Sequence, residues 1–299
     1  MDHYTRQKEV ILKHTPTMSL YLKKLNENEK ERALNVFATW ELSFRQILGG
    51  NDTGQLEADF LTLFAFFDCQ DISENLFAVF AVCADKPPLL YEEIKDHIAD
   101  LGSNFKLLRK DGKWDRDKFR NILANLAQSA LVQTWTPSSD SSDNWSHLTL
   151  HPLIQDWILL RTDPKTFAQY YVIAAVCISW LLNFCWSFDK LALGRPMKGI
   201  KECMPSHIGA HIKHRNSLIE QGNFPVGNFK EQMLTNEAEF CMAMFMCQSG
   251  QHDRARIINE QVIEWQQANL GVCTVLYISF NSCTQNPALS SRGTKKPAF

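Results

Sequence analysis

Apolar positions recur along most of this chain at helical spacing, and one stretch near the middle switches to strand-like alternation. From Ala33 to Leu48 the set Leu34, Phe37, Trp40, Leu42, Phe44, Ile47 and Leu48 predicts a helix, closed by Gly49-Gly50-Asn51-Asp52. Residues 56–67 are nearly all apolar and predict a second helix. Asp71-Ile72-Ser73-Glu74 reads as the start of a third, capped by Asp71 or Ser73, running through Leu76, Phe77 and Phe80 and closed by Pro87-Pro88. Tyr91–Leu101 is helical by Ile94, Ile98 and Leu101. Asp115–Ser129 is helical by Phe119, Ile122, Leu123 and Leu126.

Leu131–Trp135 and Trp145–Leu150 are strand-like runs separated by the polar segment 136–144, which predicts a β-hairpin with a long tip. Alternation at Leu148 and Leu150 then meets His151-Pro152, and Leu153, Ile154 and Trp157 mark a helical face. Proline suits the first position of a helix, where no backbone N–H is needed, so His151 is placed at a helix N-terminus. Such a corner offers free N–H groups and the positive end of the helix dipole. His151 therefore either caps the helix or adds an imidazole donor to a phosphate contact. Helices, then a hairpin, then a helix is the order of a winged helix.

The composition changes after Arg161-Thr162-Asp163-Pro164. Tyr170–Trp186 carries no charge, and insertion in a membrane is one reading of it. The run is slightly short of a span and lacks a flanking basic cluster, which favours a buried helix of a helical stack. Residues 236–271 read as a helical hairpin, with Ala238, Phe240 and Met244 in the first helix, Gly250 at the turn, and Ala255, Ile258 and Val262 in the second. Glycine permits the tight turn, and alanine at 255 permits close approach of the helices.

The boundaries follow: a helical lead-in at 1–30, a winged-helix-like domain at 31–163, a helical region at 164–272 and a disordered tail at 273–299. The fold class expected is mainly α, a winged-helix-like helical domain with a small β-hairpin followed by an α-solenoid. A formal net charge of -2 and a pI near 6.5 provide no basic footprint for nucleic acid, which disfavours DNA readout by the winged helix. Nine cysteines without paired spacing, behind a charged N-terminus, fit a reducing, cytoplasmic setting.

Chemistry is sparse. No Gly-x-x-x-x-Gly-Lys-Ser/Thr phosphate loop occurs; the nearest glycine run, Gly49–Gly54, lacks the lysine and a following helix signal. A single bond from His151 to a phosphate contributes roughly 1.5–3 kcal/mol, whereas micromolar affinity needs about 8 kcal/mol. Tight nucleotide binding and hydrolysis are therefore not expected. Cys203, His207, His211 and His214 are spaced as metal ligands on a helix face could be, but Pro205 interrupts that face, which favours packed or solvated histidines. Asp68, Asp71 and Glu74 read as helix-start carboxylates, and Trp40, Trp135, Trp145 and Trp157 as core. The usual hydrolase, zinc-peptidase and dinucleotide motifs are missing, which points away from an enzyme.

Thr39-Trp40-Glu41-Leu42-Ser43-Phe44, the Leu61–Phe77 run and Leu148–Trp157 together resemble the part of fungal STAND proteins that follows an NB-ARC nucleotide-binding domain. In that NLR-like family a winged helix ends in a Met-His-Asp-type turn and gives way to tetratricopeptide repeats. Leu150-His151-Pro152 stands at that turn, with Pro152 where the family carries aspartate, and Leu270-Gly271 is similar to the end of a repeat. The resemblance implies that Trp40, Ser43, Trp157, Gly250 and Ala255 are structural and that His151 is a possible ADP-phosphate contact. ADP or ATP would be held only by a full-length relative carrying the P-loop domain, so no cofactor is expected for this chain. The resemblance further implies a protein partner on the repeats and a signalling role, with this chain a truncated piece of such a protein.

Overall fold

A computed structural model describes residues 27–50, 53–83, 105, 107–135, 145–188, 198–224 and 227–270. The chain is mainly helical, as its periodicity predicts, with a few short strands. The predicted lead-in before residue 27, the Tyr91–Leu101 helix, the hairpin tip at 136–144 and the tail at 273–299 lie outside those residues.

Helix α1 (Glu27–Gly50) turns Phe37, Ala38, Phe44 and Ile47 inward along one face, two turns separating Phe37 from Phe44, while Leu42 and Leu48 stay exposed. Helix α2 (Gly54–Phe64) is buried along nearly its whole length. It starts against α1 so closely that a Cβ on Gly54 would sit 2.2 Å from the Ile47 carbonyl oxygen, so only glycine fits. The Gly49–Gly54 run thus does lead into a helix, contrary to expectation, with Gly54 serving close packing.

The stretch at 71–74 also departs from expectation. Ile72–Ser73 is not the first turn of a helix but strand β1, and helix α3 (Asn75–Cys83) begins after it. A hairpin, β2 (Arg109–Lys110) and β3 (Lys113–Trp114), turns on Asp111 and Gly112, both with positive φ. Asp-Gly is the pair that such a two-residue turn demands. Helix α4 (Arg116–Gln128) is capped by Asp115, whose Oδ1 accepts from the Lys118 N–H at 3.0 Å, and it buries Phe119, Ile122, Leu123 and Leu126 as the spacing predicts.

Strands β4 (Gln133–Trp135) and β5 (His147–Thr149) pair antiparallel, and β1 adds to the free edge of β5, giving the sheet order β1-β5-β4. Apart from α1 and the separate β2–β3 hairpin between α3 and α4, the order α2, β1, α3, α4, β4, β5, with β1 against β5, is winged-helix-like. Buried Glu74 locks it: Oε1 accepts from Trp114 Nε1 at 2.8 Å and Oε2 from the Ser146 N–H at 2.9 Å. Asp71, at φ 54, pairs with His147 Nδ1 at 2.6 Å. These two carboxylates hold the wing, a fuller role than helix-start partners. Trp157 is core, packed on Trp40 and Phe44, and Trp40 is half-buried; Trp135, expected in the core, is about half exposed and stacks on His147.

One substitution should strengthen this half. Ala130 closes α4 in the left-handed region at φ 56, with the Leu131 N–H donating to the Leu126 carbonyl. An L-residue pays about 1–2 kcal/mol there and glycine does not. Ala130→Gly is expected to raise stability by about 1 kcal/mol in urea unfolding.

Helix α5 (Pro152–Arg161) packs on α1 and α2, with Trp157 against Trp40 and Phe44, and the helices after it form a stack: α6 (Pro164–Phe188), α7 (Lys198–Glu220), α8 (Phe229–Gln248) and α9 (His252–Leu270). Helix α6 is long and apolar enough to cross a membrane, and here it is the central helix. It is buried continuously from Tyr170 to Leu182 against α3, α7 and α8. Helix α8 starts with a capping box between Asn228 and Glu231 and ends at Gly250, at φ 77. Helix α9 returns along it with Ala255, Ile258 and Val262 buried in the pair, as predicted. The first helix of the pair starts earlier than the sequence suggests, at Phe229.

Candidate functional site

The chemistry-bearing side chains gather where the winged helix meets the helical stack. Their centre is the loop 65–71, between α2 and β1. From one side it is gripped by the β5–α5 corner. The Leu150 N–H donates to the Cys69 carbonyl at 2.9 Å, and Gln155 Nε2 donates to the Ala65 and Phe67 carbonyls at 2.9 and 2.7 Å. From the other side it is gripped by α7: the Asp68 N–H donates to His207 Nδ1 at 3.1 Å, and Phe67 and Phe66 pack edge-on or tilted against His207 and His214.

Helix α7 therefore presents its histidines to packing partners rather than to one another. It runs unbroken through Pro205, because a proline removes a single main-chain bond and the surrounding packing tolerates the loss. His207, His211 and His214 are all buried, and Cys203 is half-buried. Each histidine has its own surroundings: His207 takes the loop, His214 lies among Phe66 and Phe167, and His211 faces α6 and α8. No three His, Cys, Asp or Glu side chains converge as a metal site among the described residues.

Burial pushes the His207 and His214 imidazoles down to about 4. The nearby carboxylates Asp68 and Asp71 offset part of this for His207. His211 and Lys213 reinforce it for His214. Both rings are consequently neutral at pH 7. Because His207 Nδ1 accepts a bond, its proton sits on the buried Nε2.

One turn further along, α7 is tied to α6 and α8 by a buried ionic cluster. Arg215 Nη1 donates to Glu239 Oε2 at 2.7 Å. Tyr171 OH donates to Glu239 Oε1 at 3.2 Å, and His211 Nε2 lies 3.1 Å from both oxygens, with its ring stacked on that of Tyr171. Burial, then the charge of Glu239, pushes the Tyr171 phenol far up, so it stays a donor. The Cys177 and Cys241 thiols are likewise pushed up by burial, which keeps them protonated rather than nucleophilic.

His151 is placed at the corner as the sequence predicts. It is exposed, and its Nδ1 accepts from the Leu153 N–H at 3.2 Å, the capping geometry. Ser43 lies on α1 facing α4, away from this corner. Sequence reading missed Tyr171, Arg215, Glu239 and Gln155. The available signal was charge inside apolar helix faces, as at Glu239 between Ala238 and Phe240. No protein-family model, curated protein or solved structure matches the chain.

Proposed function

We propose that this chain is a non-catalytic regulatory and protein-interaction module in which a winged helix is coupled to a repeat-like helical stack that receives a protein partner. The observation that carries the reading is the grip on loop 65–71 from both sides, by Leu150 and Gln155 and by His207 and His214. A packed loop held by two bodies passes displacement of either to the other. The strand order of the wing and the α8–α9 hairpin support the likeness to the winged-helix and early repeat portion of an NB-ARC-type STAND signalling protein. Burial of α6 supports a stack that keeps its apolar helix within the protein rather than in a lipid bilayer.

In this reading His151 caps α5, and nucleotide would be held only where a phosphate-binding domain is added. Titration calorimetry of the whole chain with ADP and with ATP is expected to give no saturable heat, in wild type and in His151→Ala alike. Micromolar binding that the substitution abolishes would overturn the reading and place a phosphate site at the corner. The fold of each sample is checked by circular dichroism, so an unfolded chain is not mistaken for a silent one.

A further inference from the structure

Helices α1, α2 and α4 border a polar cleft of about 560 Å³, well away from the histidine seam. Its size lies within the range of small-ligand sites. Ser43 and Gln46 of α1, Glu57 of α2, and Asn125 and Gln128 of α4 line it, with Ala130 at the rim. Glu57 is the one ionisable side chain among those lining residues, and it is 2 % exposed. Thr53 Oγ1 and Asn125 Nδ2 both donate to its Oε1, at 2.9 and 2.7 Å, which leaves Oε2 as the remaining acceptor of a buried carboxylate.

Two further features carry the same sign. Helix α4 ends at the cleft, α1 passes it in its last two turns, and neither has a basic residue in its last turn. No last-turn lysine or arginine therefore balances the negative end of either dipole, although the Ser129, Ala130 and Leu131 N–H groups satisfy the Asn125, Ala127 and Leu126 carbonyls of α4. The wall offers the Glu57 carboxylate, the Gln46 and Gln128 amides and the Ser43 hydroxyl, each able to turn an oxygen to a cation. Because Glu57 Oε1 is already doubly engaged, a planar guanidinium fork has no free carboxylate pair to meet. An ammonium, with three N–H donors about a point charge, suits the remaining acceptors.

We infer that this cleft is a binding site for a primary alkylammonium group, supplied by a free polyamine or by a lysine side chain of another protein. The test is titration calorimetry on the whole chain at low salt, with spermidine in one arm and an N-acetylated, C-amidated Gly-Lys-Gly peptide in the other. One saturable site is expected in at least one arm. Binding of spermidine alone identifies a free polyamine as the ligand, and binding of the peptide identifies a protein lysine.

Glu57→Gln keeps an oxygen for Thr53 and Asn125 while removing the charge, and Ser43→Lys places a resident ammonium at the half-buried mouth. Each is expected to weaken binding at least tenfold while the circular dichroism spectrum stays that of wild type. Should Glu57→Gln fail to fold, Ser43→Lys alone decides. Absence of a saturable site in both arms overturns the inference. So does a folded variant that binds within threefold of wild type.

Discussion

Glu239→Ala is expected to destabilise the chain by about 3–5 kcal/mol, read as a fall in the urea midpoint followed by far-ultraviolet circular dichroism. The carboxylate is 2 % exposed and joins three helices: Arg215 and His211 from α7 and Tyr171 from α6 meet it on α8. Removing it leaves the Arg215 guanidinium, 5 % exposed, buried without its counter-charge. That uncompensated charge dominates the loss, because burial of an unpaired ion costs far more than the net worth of the pair. The distinction can be measured. Glu239→Met combined with Arg215→Met is expected to recover most of the stability, since two apolar side chains of similar length replace the pair. A loss below about 1 kcal/mol for Glu239→Ala would show that water reaches Arg215 and that the cluster does not clamp the helices.

The second large effect is acid sensitivity of the seam. His207 and His214 each fall from an ordinary value of 6.5 to about 4 through burial. The unfolded chain therefore binds more protons than the folded one between those values. Stability from these groups is complete above pH 6.5 and declines as the pH falls towards 4, by up to about 1.4 kcal/mol per pH unit for each ring. Asp163, held below its ordinary 3.8 by hydrogen bonds from Thr166, loses its contribution only beneath that value, whereas burial raises Asp59 and Glu237, which offsets part of the decline. Urea unfolding from pH 7.5 to 4.5 is expected to show the decline. His214→Phe, in a site walled by Phe66 and Phe167, should reduce the slope by about half and cost little at pH 7. Equal slopes in wild type and variant would mean that His214 is hydrated in the folded chain.

The parts of the fold that the sequence discloses are those decided locally. Helix α4 carries its cap at Asp115 and a four-residue apolar stripe, the β5–α5 corner carries His151-Pro152, and the α8–α9 turn carries Gly250. Each signal lies within one turn of the feature it sets. Strand β1 could not be found this way. Its two residues take extended form because Ile72 pairs with Leu148 and Ser73 with His147, more than seventy positions away. The β2–β3 hairpin had a local signal in Asp111-Gly112 that the helical reading of its surroundings obscured. For α7, spacing places Cys203, His207, His211 and His214 along the helix but does not say what faces them. Three- and four-residue steps suit metal ligands and packing alike, and the choice is made by Asp68, Tyr171, Glu239 and Phe66, from three other parts of the chain. The cleft beside Glu57 is of the same kind, since its walls come from α1, α2 and α4.

The coupling of the two halves is tested most directly by amide hydrogen exchange of Gln155→Ala against wild type. This side chain lies in α5 and holds loop 65–71 through the Ala65 and Phe67 carbonyls. Exchange is expected to quicken in the loop and also along α7 from His207 to Arg215, because loosening the loop weakens the bond from Asp68 and the packing of Phe66 and Phe67 on the helix. Faster exchange confined to α5 and the loop, with α7 unchanged, would contradict the account and make the winged helix and the helical stack independent bodies.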